Sequence, residues 1–167
     1  MAKKEDIPTV TKQGTVSVLE RLKAFDRREP FAVLATDDNG RPYTSLISYA
    51  VTPGLNTIIF ATPRETQKYR NIIRAKNVAL LIDNRKRSVK ANIMESEAIT
   101  VVGIARSLRR GKRWDEMAAI FLKKHPGLEG FIRAETTVLI TVEVTRYIHV
   151  GQFQTVSVWD FNVMEAE

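Results

Sequence analysis

The sequence contains no cysteine and only two histidines among its 167 residues. Without cysteine the chain cannot form a disulfide, use a thiolate as a nucleophile or bind a metal through sulfur. The two imidazoles, His125 and His149, are far apart in sequence. These absences argue against thiol enzymes and against zinc sites, and we predict no metal site.

Long apolar runs are also missing. No segment approaches the roughly 20 apolar residues that a membrane helix requires, and the polar stretch from Met1 to Asp6 is unlike a signal peptide. We therefore expect a cytoplasmic protein with no membrane partner. The hydrophobic content of 44% suits one compact domain, so we expect an N-terminal arm over residues 1–16 and a single domain over residues 17–167.

Basic residues outnumber acidic ones by 26 to 19, which gives a net charge of +7. This excess favours anionic partners but does not distinguish nucleic acid, phosphate cofactors and acidic metabolites. The densest basic stretches, residues 85–90 and 106–113, lack the interleaved aromatic residues that single-strand binders use. We therefore do not expect a nucleic-acid partner, although a basic nucleic-acid-binding barrel is kept as an alternative.

Alternating apolar residues and turn signals predict a mainly β protein. The Asn39-Gly40 pair suits a hairpin turn, Gly103 marks a bulge or bend in its strand, and apolar spacing predicts three helices. The first predicted helix begins at Ser17, and the other two cover 66–75 and 111–125. The predicted strands cover 31–36, 43–51, 57–62, 78–83, 98–108, 136–150 and 154–161. This order favours a closed antiparallel β-barrel with flanking helices, but the alternation alone does not separate a barrel from a sandwich.

The most informative segment runs from Thr62 to Asn71, where a strand end leads into the first turn of a helix. Free amides and the positive end of the helix dipole attract an anion, threonine hydroxyls can donate hydrogen bonds, and Lys68 adds a positive charge. This pattern predicts a phosphate site. Taken alone, it is more typical of a solvated helix start, because charged residues in an early helical turn are usually exposed to solvent.

Three motifs resemble the FMN-binding split barrels related to pyridoxamine-phosphate oxidase. They are Val33-Leu34-Ala35-Thr36 before Asn39-Gly40-Arg41-Pro42, the strand Tyr43-Thr44-Ser45-Leu46-Ile47, and Thr62 through Lys68 to Asn71. The resemblance is good over residues 30–108 and implies an antiparallel split barrel that binds FMN between the subunits of a homodimer. It places Ser45, Leu46 and Ile47 along the isoalloxazine ring, where Ile47 makes an apolar contact with the ring. It places the phosphate near Thr62, Thr66, Gln67 and Lys68.

The resemblance implies an oxidoreductase in which bound FMN transfers a hydride or electrons between a donor and a small-molecule acceptor. No catalytic side chain is predicted. The alternative to an enzyme is a non-catalytic flavin carrier or sensor. The vitamin enzyme of this family holds its substrate phosphate with basic residues near the C-terminus, whereas this chain has no Arg or Lys after Arg146. Oxidation of pyridoxine phosphate is therefore not our leading expectation.

The resemblance also leaves open whether FMN is replaced by a deazaflavin or by haem. The segment from His149 to Phe153 resembles a glycine-containing segment of haem-degrading relatives. Gln152 and Gln154 stand where small residues are expected there.

Overall fold

The computed structural model describes residues 10–13, 16–85, 95–151 and 155–161. The strands are β1 (Val10–Gln13), β2 (Phe31–Asp38), β3 (Arg41–Val51), β4 (Thr57–Pro63), β5 (Asn77–Asp83), β6 (Ala98–Ser107), β7 (Thr137–Gly151) and β8 (Thr155–Asp160). The helices are α1 (Val16–Arg28), α2 (Gln67–Arg74), α3 (Lys112–Lys124) and α4 (Glu129–Arg133). Within these ranges no helix is long and apolar enough to cross a membrane.

Six of the strands close into a barrel. Their order is β7, β4, β3, β2, β5 and β6, and β6 pairs back onto β7. Every pairing in this ring is antiparallel, which confirms the predicted antiparallel barrel and excludes the sandwich. β8 extends the sheet from β7, and β1 adds to β8 in parallel. β1 lies in the segment predicted as an arm, and the division into arm and domain stays a prediction.

The barrel interior is filled by one face of each strand. Because successive strand residues point to opposite faces, Ile58 and Phe60 are buried inside while Ile59 points outward. Helix α1 adds Val18, Leu22 and Phe25 to the same interior cluster, as their helical spacing predicts.

A second apolar cluster lies on the outside of the barrel. It joins Ile59 and Leu139 on the strands to Trp114 and Phe121 on α3 and to Ile132 on α4. Helix α3 therefore covers the outer faces of β3 and β4. Helix α4 was not predicted, because five residues are too few to show a helical apolar pattern.

At Gly103 the backbone of β6 lies close to β7. The pairing register shifts between Val102 and Gly103, which confirms the predicted bulge. A Cβ atom at Gly103 would lie 2.4 Å from the carbonyl oxygen of Glu143 and 2.7 Å from Val142 Cγ1. Only glycine allows the two strands this contact.

The barrel is split between β3 and β4. Strand β3 pairs with β2 from Arg41 to Ser48, but it pairs with β4 only from Tyr49 to Val51. On its other side β4 pairs with β7 along its whole length, from Thr57 to Pro63. Residues 41–48 of β3 therefore have a strand neighbour on one side only, within the part of the chain that is described. Helix α2 contacts β2, β3, β4 and β6, and its N-cap Thr66 bonds to Thr62 in the part of β4 that does not pair with β3.

Candidate functional site

Two threonines build the start of α2 beside the split. Thr66 is the N-cap, and its hydroxyl accepts a hydrogen bond from the Tyr69 amide at 3.4 Å. The same hydroxyl donates to the carbonyl oxygen of Pro63 at 2.9 Å. Because Thr66 has only one hydroxyl proton, the 2.9 Å bond between the two threonine hydroxyls must be donated by Thr62. Both hydroxyl protons thus stabilise the helix start.

The remaining donors of the predicted phosphate site belong to Gln67 and Lys68. As the first residues of α2, both have backbone amides without an intrahelical partner. Lys68 is half-buried, and no described residue forms a hydrogen bond or ion pair with its ammonium group. The Gln67 side chain is occupied: its Nε2 donates to Asp38 at 3.2 Å and to Asn71 at 2.8 Å, and its Oε1 accepts from Arg70 at 2.8 Å. Gln67 therefore offers its backbone, and Lys68 offers both backbone and side chain.

The three predicted residues of β3 do not share one face. Ser45 pairs with Leu34, whose side chain is fully buried, and Ile47 is 5% exposed in the barrel core. Leu46 points outward and is 65% exposed. Ile47, predicted as an apolar contact to the ring, therefore packs in the core, and Leu46 is the one of the three that presents an apolar side chain to solvent. The Ser45 hydroxyl oxygen is buried without a hydrogen-bond partner among the described residues.

Leu46 lines an apolar cavity on the outer face of β2, β3 and β5. The cavity has a volume of about 300 Å³. Its apolar lining includes Phe31, Val33 and Leu81, and charged residues stand at its rim. One rim carboxylate, Asp83, accepts hydrogen bonds from the Arg85 guanidinium, which holds the pKa of that carboxyl below its usual range. The outer face near the split is thus mainly apolar.

A buried polar network connects α2 to β2. The Asn71 side chain is fully buried; it donates to the Thr36 hydroxyl at 3.0 Å and accepts from Gln67 at 2.8 Å and from Arg74 at 3.0 Å. Arg74 also donates to Asp38 at 2.9 Å. Sequence reasoning gave Asn71 no role. The one available signal was a polar residue on the apolar face of a short helix.

The two histidines lie in separate places. His125 Nε2 is 2.7 Å from the carbonyl oxygen of Tyr49, and His149 Nε2 is 3.4 Å from Glu97 Oε1. Burial lowers the pKa of both imidazoles. Gln152, which was singled out in the sequence, lies outside the described residues, as do Phe153 and Gln154.

These lowered pKa values predict a loss of stability in mild acid. Below about pH 6.5 the unfolded chain binds protons on both histidines, whereas the folded chain binds them only at lower pH. The unfolded state then holds more protons, so the free energy of unfolding should fall between about pH 6.5 and 5. Denaturant titrations over this range should show the fall, and the double variant His125→Gln, His149→Gln should lose most of it. An unchanged slope in the double variant contradicts this assignment.

Solved structures of similar fold exist. The heme binding protein of Mycobacterium smegmatis aligns with a TM-score of 0.70 and 18% identity over 83% of this chain, which spans 56% of that longer protein. HutZ, the heme storage protein of Vibrio cholerae, aligns with a TM-score of 0.66 and 15% identity, and the alignment covers 76% of this chain and 89% of HutZ. A putative pyridoxamine 5'-phosphate oxidase of Listeria innocua aligns with a TM-score of 0.57 and 16% identity, and the alignment covers 77% of this chain and 94% of that protein. At these identities the likeness establishes the fold alone.

Sequence comparison assigns the family. Comparison with curated proteins gives no match. The family model described as pyridoxamine 5'-phosphate oxidase matches residues 18–151, a range that runs from α1 to the end of β7 and includes the split and α2. The chain therefore belongs to the pyridoxamine 5'-phosphate oxidase family.

Proposed function

We propose that this protein binds FMN at the split of the barrel and acts as an oxidoreductase on a small molecule. One observation carries the proposal: Lys68, which has no partner among the described residues, stands in the first turn of α2, and this helix contacts both strands of the split, β3 and β4. A phosphate group requires cationic and N–H donors, and the polar edge of a flavin ring requires backbone donors and acceptors. In the proposed site, α2 supplies the phosphate donors and the one-sided edge of β3 supplies the backbone groups.

The donor set fits FMN. Lys68 and the amides of Gln67 and Lys68 suit the phosphate, while the backbone of β3 that points away from β2 suits the polar edge of the ring. Among the described residues the buried Ser45 hydroxyl has no hydrogen-bond partner, and a buried polar group of this kind calls for a ligand or a water molecule. Leu46, on the same strand, supplies an exposed apolar side chain. The predicted residues therefore divide into a phosphate end on α2 and a ring end on β3.

The roles of the protein groups follow from this division. The Lys68 ammonium neutralises the phosphate, and the bonds among Thr62, Thr66 and Pro63 keep the first turn of α2 in place. Leu46 excludes water from its side of the site. When bound, FMN supplies hydride or single-electron transfer chemistry, so no side-chain acid or base is assigned. Turnover assays with a nicotinamide donor distinguish an enzyme from a flavin carrier or sensor. The same assays identify the donor and the acceptor.

A homodimer is part of the proposal. Phe31 is 43% exposed and Leu46 is 65% exposed on the outer face of the barrel, beside the apolar cavity. Contiguous exposed apolar surface of this kind marks an interaction site, and self-association of one face is the commonest way to cover it.

The variant Leu46→Glu should dissociate this dimer. A carboxylate at the centre of an apolar contact must lose its hydration without gaining a partner. Sedimentation velocity should show a dimer for the wild type and a monomer for Leu46→Glu. The matched control is Val102→Glu, since Val102 is 38% exposed on β6 and should leave the dimer intact. Equal association of the wild type and both variants contradicts the proposed interface.

Haem is the second candidate ligand. The family binds small molecules, flavin or haem, and two solved structures of similar fold are described as a heme binding and a heme storage protein. In this chain His149 favours it, because its Nε2 is buried without a hydrogen-bond partner among the described residues and a neutral imidazole nitrogen ligates metals. FMN is preferred because Lys68 and the first turn of α2 match a phosphate group.

A visible absorption spectrum of the purified protein separates the two candidates. It should be recorded as purified, and again after FMN is added and the excess removed by a high-salt wash. Two flavin bands that survive the wash are the expected result. A single intense Soret band in the protein as purified supports haem instead. A colourless protein that retains neither ligand contradicts the proposal and makes salt-dependent nucleic-acid binding the next test.

A further inference from the structure

We infer that Asn71 is a positioning residue that sets how strongly the first turn of α2 binds phosphate, through its hydrogen bond to Thr36. The inference rests on the proposed function. Asn71 has no exposed surface, so its side chain does not reach a ligand and can act only through the groups it contacts.

The hydrogen bonds of Asn71 lead in two directions. Towards the start of α2, its side-chain oxygen accepts from Gln67 at 2.8 Å, and Gln67 directly precedes Lys68. Towards the barrel, its side-chain nitrogen donates to the Thr36 hydroxyl on β2 at 3.0 Å. Asn71 thus joins the turn that carries the phosphate donors to the wall of the barrel.

Thr36 extends this connection to the other half of the proposed site. Its hydroxyl donates to the carbonyl oxygen of Tyr43 on β3 at 3.5 Å. Tyr43 lies in the part of β3 that has β2 as its only strand neighbour among the described residues. The phosphate end on α2 and the ring end on β3 are therefore linked through two buried side chains.

Packing alone does not explain an asparagine here. The neighbouring Ile72 is also buried, at 1% exposure, and fills the core with an apolar side chain. A buried amide is tolerated only when its polar atoms are bonded, and both polar atoms of Asn71 are. A second tie, from Arg74 to Asp38, anchors the far end of the helix. With both ends tied, α2 is restrained from turning about its axis, which fixes the direction of Lys68.

The test compares FMN with riboflavin, which has the same ring and no phosphate. The ratio of the riboflavin Kd to the FMN Kd isolates the phosphate contribution, and quenching of flavin fluorescence gives both constants without any activity assay. The variant Thr36→Val keeps the shape of the side chain but removes the acceptor of Asn71. We expect its ratio to fall about tenfold, as for outer-shell partners of other bound ions.

Two further variants make the test specific. Thr36→Ser keeps the hydroxyl and should retain the wild-type ratio. Thr52→Val removes a buried hydroxyl that bonds to Asn56 and Thr57 at the other end of β3, and it should lower stability without changing the ratio. Melting curves establish that each variant is folded.

The outcomes separate the two claims. Suppose that the wild type prefers FMN and that Thr36→Val has the same ratio of riboflavin Kd to FMN Kd. This result overturns the inference about Asn71 and leaves the proposed function standing. A fall of the same size in Thr52→Val also overturns it, because general loosening would then explain the effect. A wild type with equal affinity for the two flavins, or with none, overturns the proposed phosphate site and the inference together.

Discussion

Replacing Lys68 with alanine is expected to weaken FMN binding by about 10- to 100-fold. A hydrogen bond to a charged group contributes about 1.5–3 kcal/mol, and each 1.4 kcal/mol is a factor of ten in Kd. No described residue competes for the Lys68 ammonium, so the folded protein keeps this charge available for a phosphate. Titration of FMN against the purified variant, followed by quenching of flavin fluorescence, gives the change in Kd.

The control for this experiment is Lys76→Ala, which removes the same charge from an exposed residue just after α2. Its FMN Kd should stay within about twofold of the wild type, since an exposed charge outside a site is largely screened by salt. Because Lys68 has no partner among the described residues, its variant should melt close to the wild type. Wild-type FMN affinity in Lys68→Ala contradicts the assignment of the phosphate end.

Replacing Gly103 with alanine is expected to lower the free energy of unfolding by about 3 kcal/mol, at the upper part of the range for overpacked sites. The new methyl group would meet the backbone oxygen of Glu143 at 2.4 Å, and a backbone cannot move aside as a flexible side chain can. β6 and β7 must then separate at the bulge. In a domain of this size the melting temperature should fall by roughly 6–12 °C.

Gly130→Ala is the matched control. A Cβ atom at Gly130 would have nothing within 4 Å, and alanine in a helix is usually favoured over glycine. Calorimetry should therefore show an unchanged or slightly higher melting temperature. If Gly103→Ala melts with the wild type, the close contact of β6 and β7 is not a feature of the folded protein in solution.

Much of the fold could be predicted because its signals are local. The strand predicted over 57–62 is found at Thr57–Pro63, and the helix predicted over 66–75 is found at Gln67–Arg74. Both are marked by β-branched runs or by apolar residues at helical spacing, with turn residues at their ends. β1 has no such signal, because it forms a strand only by pairing with β8 at the far end of the chain.

The candidate site was predictable only in part. The spacing of Thr62, Thr66 and Lys68 around a helix start is a local pattern, and the structure brings these residues together. Side-chain alternation along a strand puts Ser45 and Ile47 on one face and Leu46 on the other, but which face points inward depends on how the sheet closes. The tie from Asn71 to Thr36 joins residues 35 positions apart, and no local pattern predicts it.

The split itself also has no mark in the sequence. β3 pairs with β4 only from Tyr49 to Val51, and its preceding residues 41–48 pair with β2 alone, while β4 pairs with β7 along its whole length. That choice is made by pairings between distant segments. Only the structure shows that α2 contacts both strands of the split, β3 and β4, and the FMN proposal depends on this arrangement.

Parallel titrations of the wild-type protein with FMN and riboflavin test the FMN site most directly. We expect FMN to bind at least tenfold tighter than riboflavin, because a charge-assisted contact to phosphate contributes more than about 1.4 kcal/mol. The difference should shrink as salt is raised and the phosphate contact is screened. Equal affinities at all salt concentrations, or no binding of either flavin, would contradict a phosphate-binding flavin site at the split.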